Sequence, residues 1–157
     1  MVKKTLPWIV FILLFALLII GFSLKDSMNN YLSELMINQA SPEIIQSGNA
    51  LVDSLYNYSA NGLNFEMSFL EFGATGCIAC KNMESVMEEM DTKYPRLNVV
   101  FLNVVKPESK NLMKLYGISA IPTQVLLDSN GKEFFRHTGY ISTNELSTQI
   151  KGSLIYN

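Results

Sequence analysis

Thiols and imidazole are scarce in this chain, which has two cysteines, one histidine and one tryptophan in 157 residues. Two cysteines exclude a disulfide-stapled mini-protein, which carries four or more in a shorter chain, so stability must come from packing. An excess of positive charge is missing too: 12 Lys and Arg stand against 14 Asp and Glu, for a formal net charge of −2. A phosphate-binding face shows as clustered Lys and Arg, so nucleic acid is set aside as a partner. Internal repeats and low-complexity tracts are absent. The length and a hydrophobic content of 48% suit one ordinary domain with a real core plus an appendage.

Charge is lacking altogether from Leu6 to Leu24, LPWIVFILLFALLIIGFSL. A helix of that length rises about 28 Å, close to the ~30 Å hydrocarbon thickness of a bilayer. Lys3 and Lys4 before it predict an N-terminus inside the cell and everything after Lys25 on the far side. The expected organisation is a membrane anchor over 1–24, a helical stalk over 25–40 and a folded domain over 41–157. The expected location is the cytoplasmic membrane, single-pass, with the domain extracytoplasmic. The alternatives are a cleaved signal peptide and a buried core helix. The stretch IIGFSLKDS offers no A-x-A-like cleavage site, and the run shows no polar face.

Residues 25–62 read as two amphipathic helices. In the first, Met28, Tyr31, Leu32, Leu35 and Met36 recur at three- and four-residue steps; in the second, Ser41 and Pro42 open a stripe through Ile44, Ile45, Leu51, Val52, Leu55 and Tyr56, closed by Asn61-Gly62. From Leu63 the pattern becomes an α/β alternation. Strands are expected at Phe65 to Phe72, at Leu97 to Val105 as a central strand covered on both faces, at Thr123 to Leu127, and at Phe134 to His137 across a turn at Ser129-Asn130-Gly131. Helices are expected from Cys77 to Tyr94, with Ile78, Met83, Val86, Met87 and Met90 buried, from Pro107 to Tyr116, and from a capping box at Ser142 to the end.

Both cysteines lie in GATGCIACKNMESVMEEM, where Cys77 and Cys80 form C-x-x-C at the start of a helix that follows a strand. Residues three apart on a helix have Cα atoms about 5–6 Å apart, within disulfide range. Exposed N–H groups and the positive dipole end at a helix start favour an anion, so the thiolate of Cys77 is stabilised and Cys77 is the candidate nucleophile. Cys80, deeper in the helix, is the candidate resolving thiol. A structural bridge and half of a zinc site are the other readings. Zinc wants four ligands, and the chain has only these two cysteines and His137 to offer beside carboxylates. A bridge closing so small a loop restricts the unfolded chain far less than a long-range one.

The stretch from about Phe65 to the end resembles the thioredoxin family. FLEFGATGCIACKNME stands where that family has strand, loop, C-x-x-C and helix, and Gly117-Ile118-Ser119-Ala120-Ile121-Pro122-Thr123 is similar to its cis-proline segment. The resemblance implies a thioredoxin-like α/β fold, a central mixed sheet flanked by helices, following the N-terminal transmembrane helix. It implies thiol–disulfide oxidoreductase activity with no cofactor beyond the Cys77–Cys80 disulfide and no metal. It places Ile121, Pro122, Gly76 and Gly139 on a substrate groove, with the bond before Pro122 cis. Glu71 falls where the family keeps a buried carboxylate that takes the proton of the resolving cysteine, the alternative being a solvent-facing strand residue. Departures from the family pattern are Gly76 for a tryptophan, Ile78-Ala79 for Gly-Pro, Ser85 for a helix-kinking proline, and Phe101 where a lysine often partners the carboxylate.

The segment from Phe69 to Leu146 looks most like small thioredoxins that work with DsbD- or CcdA-type transmembrane electron carriers. It lacks the large helical insertion of DsbA-type oxidants. The resemblance therefore implies a membrane-tethered reductase of disulfide-containing client proteins. A disulfide oxidase or isomerase, and a redox-inactive binding module using the cis-Pro groove, are the alternatives. His137 reads as a solvated or packing residue, and the methionines of the Cys77 to Tyr94 helix read as a core stripe before a copper site.

Overall fold

The computed structural model describes residues 2–156, the side chains of 1–6, 22, 25, 26 and 154–157 excepted. Its sheet is built from the β-branched and aromatic runs of the sequence, in the order β2-β1-β3-β4. Strand β1 (Met67–Gly73) runs parallel to β2 (Leu97–Asn103) and antiparallel to β3 (Thr123–Leu127), which forms a hairpin with β4 (Glu133–Thr138). All seven residues of β1 are buried. Alternation along the strand explains why: Phe69 faces a core with Met83, Val86, Met90, Leu126, Leu146 and Ile150, while Leu70 and Phe72 face a second core with Val52, Tyr56, Leu112 and Tyr116.

Helices cover both faces. Ahead of the sheet come α1 (Val2–Ser23), α2 (Lys25–Asn38), α3 (Pro42–Leu55) and the short α4 (Tyr58–Asn61). Helix α5 (Ile78–Lys93) crosses from β1 to β2; a 3-10 turn at Pro107–Ser109 leads into α6 (Lys110–Leu115); and α7 (Thr143–Tyr156) ends the chain. The capping box is formed as its sequence predicts: Ser142 N–H donates to Glu145 Oε2 at 3.0 Å, and Glu145 N–H donates to Ser142 Oγ at 3.3 Å. Helix α2 lies against the domain. Ser33 Oγ accepts from Arg136 Nη1 at 3.5 Å, and a side chain at Gly117 would run into the Ser33 carbonyl and Ile37.

Three expectations are corrected. The run Leu97 to Val105 is not the central strand; β1 takes that place and β2 is an edge, with Phe101 45% exposed. An edge strand can be apolar where a neighbouring helix covers one face, so composition alone does not separate edge from centre. Ile78, expected in the buried face of its helix, is 84% exposed because it occupies the first helical position, ahead of the turn that meets the sheet.

The third correction concerns the membrane. Among the described residues no helix is long and apolar enough to cross a bilayer, which overturns the anchor at residues 6–24 and the single-pass location with an extracytoplasmic domain. The described apolar side chains of α1 from Trp8 to Ile20 are exposed. The side chains of Lys3 and Lys4, on which the orientation rested, lie outside the described residues.

Phe69 sits at 0% exposure between β2 and β3. Phe69→Ala is expected to cost about 3–5 kcal/mol of stability, measured by urea unfolding with the disulfide intact.

Candidate functional site

Strand β1 ends at Gly73, and the chain must then turn sharply to enter α5. Gly76 makes that turn at φ 88°, in the region that favours glycine, with open space where a side chain would be. Cys77 N–H donates to Ala74 O at 3.2 Å, and Asn103 Nδ2 donates to Thr75 Oγ1 at 3.0 Å, which ties the loop to the end of β2. Cys77 is the N-cap of α5 in extended conformation, and its sulfur accepts the N–H of Cys80 at 3.2 Å. The helix tip therefore directs a donor at that sulfur, where the macrodipole is positive.

Cys77 and Cys80 form a disulfide with Cα atoms 5.2 Å apart. The two sulfurs are not equivalent. Cys77 is half-buried in an open cleft of about 220 Å³, lined also by Thr75, Gly76, Ile78, Cys80, Lys81 and Phe101. Cys80 is 5% exposed, turned against the sheet. A Cβ at Gly73 would lie 3.3 Å from Cys80 Cβ and 2.8 Å from the Phe101 ring, so a side chain there would push the ring aside and crowd the first turn of α5.

Ile121 and Pro122 are joined by a cis bond, the isomer the sequence suggests, and Pro122 is buried. Thr123 pairs with Phe72, which sets Pro122 one step further along, at the strand end from which the Cys77 loop departs. Gly139, at φ 105°, donates its N–H to Pro122 O at 2.8 Å and so fixes the segment after β4 beside the proline. His137 does not approach as a partner for Cys77; its Nε2 lies 3.1 Å from the Tyr140 carbonyl.

Glu71 has no exposed surface. It lies two residues before Gly73, on the sheet face that Cys80 covers. Burial pushes its carboxyl up to about 8, against a smaller lowering by Gln124 Nε2, which donates to Glu71 Oε1 at 3.4 Å. Across the sheet, Phe101 on β2 pairs with Glu71 from the other side, so an aromatic ring stands where a cation would assist ionisation. Gln124 was not picked out by sequence reasoning. The available signal was a long polar side chain inside the apolar strand TQVLL.

Known proteins share this fold. The sequence pattern of the thioredoxin-like domain matches residues 55–152. Thioredoxin H5 of Oryza sativa subsp. japonica is 33% identical over 61 residues, which make up 39% of this chain and 44% of that protein. The chain thus spans less than half the length of that curated relative. Among solved structures, thioredoxin-2 of the malaria parasite, described as a component of its protein secretion machinery, is 28% identical with a TM-score of 0.52, over 59% of this chain and 90% of that one. Thioredoxin NaTrxh of Nicotiana alata is 29% identical with a TM-score of 0.51, over 72% and 86%. Oxidised thioredoxin O2 of Arabidopsis thaliana reaches a TM-score of 0.53 over 69% and 87%, and at 18% identity it shows the fold alone.

The raised carboxyl of Glu71 has a consequence for stability. Between its ordinary value of 4.5 and about 8 the folded chain keeps a proton that the unfolded chain has lost. Unfolding releases that proton, so this residue's contribution falls as pH rises through that window and stays low above it. Glu71→Gln is therefore expected to match the wild type near pH 4.5 and to gain on it by pH 8.5, by on the order of 3–5 kcal/mol. Urea unfolding of the two disulfide-bonded proteins at both pH values measures this; parallel pH profiles would show that Glu71 ionises normally.

Proposed function

Because the chain belongs to the thioredoxin-like domain family, we propose that it is a thiol–disulfide oxidoreductase that reduces disulfides in client proteins. The observation that carries this reading is the inequality of the two bonded sulfurs: Cys77 reachable at a helix tip, Cys80 buried behind it. In the reduced protein the Cys77 thiolate attacks a client sulfur, the client S–S bond breaks, and the client's other sulfur leaves with the electron pair. Cys80 then loses its proton to Glu71 and attacks Cys77 Sγ. The mixed disulfide breaks, the second client thiol is released, and the Cys77–Cys80 bond is restored. Two electrons have passed to the client.

Ile121, Pro122, Gly76 and Gly139 are proposed to border the groove that receives the client segment. Gly76 leaves the rim open beside Cys77, and the Gly139 to Pro122 hydrogen bond holds the opposite side. The reductive direction is supported by the short connection between α5 and β3, which contains β2, one 3-10 turn and the six-residue α6 and so leaves no room for a large helical insertion. A dithiol donor must return the protein to its reduced state. The resemblance of MSFLEFGATGCIACKNME and GKEFFRHTGYIS to partners of DsbD- or CcdA-type carriers proposes that class of donor.

Cys80→Ser is expected to accumulate a mixed disulfide through Cys77 with clients and donor, while Cys77→Ser forms none and reduces a disulfide-bonded test protein no faster than the uncatalysed rate. Identification of the trapped proteins by mass spectrometry reads both partners. The midpoint potential against glutathione is expected on the reducing side, on the order of −230 to −270 mV; a value near −120 mV would reverse the direction of electron flow.

A further inference from the structure

Two buried side-chain oxygens without a hydrogen-bond partner belong to residues already joined to each other: Glu71 Oε2 and Gln124 Oε1. Both residues have 0% exposure, so water does not satisfy these atoms from the surface. With Glu71 ionised, the pair holds one hydrogen bond and leaves two acceptors facing no donor, a costly state in an apolar interior. A single proton on Oε2 changes the count. Oε2 becomes a donor, which matches the unpartnered acceptor Gln124 Oε1 on the residue already bonded to Oε1 of the same carboxyl, so the two orphaned atoms are complementary in number and kind.

We propose that Gln124 is a positioning residue that holds Glu71 as a neutral acid–amide pair in the oxidised protein and keeps one hydrogen bond to it as a carboxylate in the reduced one. This rests on the reading of Glu71 as the proton partner of Cys80. When a donor thiolate attacks Cys77, the S–S bond breaks, Cys80 leaves as a thiolate with the electron pair, and the Oε2 proton passes to it. The carboxylate that remains stays anchored by Gln124 Nε2–H. In the opposite step Cys80 returns the proton and the acid–amide pair re-forms. Gln124 thus fixes the carboxyl through both halves of the cycle, in the absence of the cation that Phe101 excludes.

The surroundings leave this role to Gln124. On the same sheet face the row across the strands is Phe101, Glu71, Gln124 and His137, with Cys80 covering it from α5. Among these the titratable groups are Cys80, held in the disulfide, and His137, at the Tyr140 carbonyl on the far side of Gln124. Burial and the Gln124 hydrogen bond are the influences on Glu71.

Infrared spectra of the full oxidised chain at pH 6 test the pair. A carboxylic C=O band that vanishes in Glu71→Gln is expected at the low frequency of an acid whose carbonyl accepts and whose O–H donates. In Gln124→Met, close in shape but without donor or acceptor amide, that band is expected to move up to the frequency of an unbonded acid. At pH 7 the same variant is expected to release a mixed disulfide through Cys80 about tenfold more slowly, with the rate of Cys77 attack unchanged. A band that stays in place in Gln124→Met, a wild type with no such band, or an unaltered release rate would each overturn the proposal. If Gln124→Met does not fold, the Gln124 side-chain amide of the wild type is followed by NMR. Its resonances are expected to shift with the Glu71 titration, and their invariance overturns the pair. Loss of client trapping with the band intact would instead remove the proposed function and leave the pair standing.

Discussion

Strand β1 must be buried on both faces, and it stops where α5 begins. That constraint shapes the site. With Phe69 committed to one core and Leu70 and Phe72 to the other, the strand cannot shift by one residue without exchanging every side chain between the faces. Helix α5 is clamped to the first of these cores by Met83, Val86 and Met90, and its first turn is therefore held at the strand end. The difference between the two sulfurs comes from that placement. Cys77 caps the helix and looks outward, while Cys80, three residues on, has turned toward the sheet.

The same burial makes the carboxyl of Glu71 unusual. A strand residue next to an exposed helix tip would be wetted and would ionise in the ordinary range. Glu71 is flanked by Phe101 on one side and Gln124 on the other, beneath a helix whose first turn packs closely on Gly73. A neutral amide compensates a buried charge far less than a cation does, so burial dominates and holds the carboxyl well above its ordinary value. Its destabilising contribution near neutral pH is borne by the packing of β1 on both faces.

Away from the site, Arg136 joins parts of the chain that sequence reading separates. It makes a bidentate pair with Glu133 at 2.7 and 2.8 Å, donates to the Tyr116 carbonyl at 2.5 Å, and reaches Ser33 on α2. Gly117 stops α6 in the left-handed region and lets α2 sit close by. Residues 25–40, expected as a stalk, pack through α2 against the end of α6 and the edge strand β4.

What the sequence by itself determined is whatever a few neighbouring residues decide. The helix starts at Cys77 and Ser142, the turn before Gly131, the C-x-x-C spacing and the proline after Ile121 are each fixed within about one turn of chain, and local spacing expresses that geometry. Tertiary structure decided what depends on partners far along the chain. An apolar run such as Leu97 to Asn103 reads alike at a sheet centre or edge, and only the pairing order put β1 between β2 and β3. The meeting of Glu71 with Gln124 joins residues 53 positions apart through strand register, which no local pattern encodes. Residues 6–24 show the same limit from the other side: freedom from charge is visible in the sequence, yet among the described residues no helix is long and apolar enough to cross a bilayer.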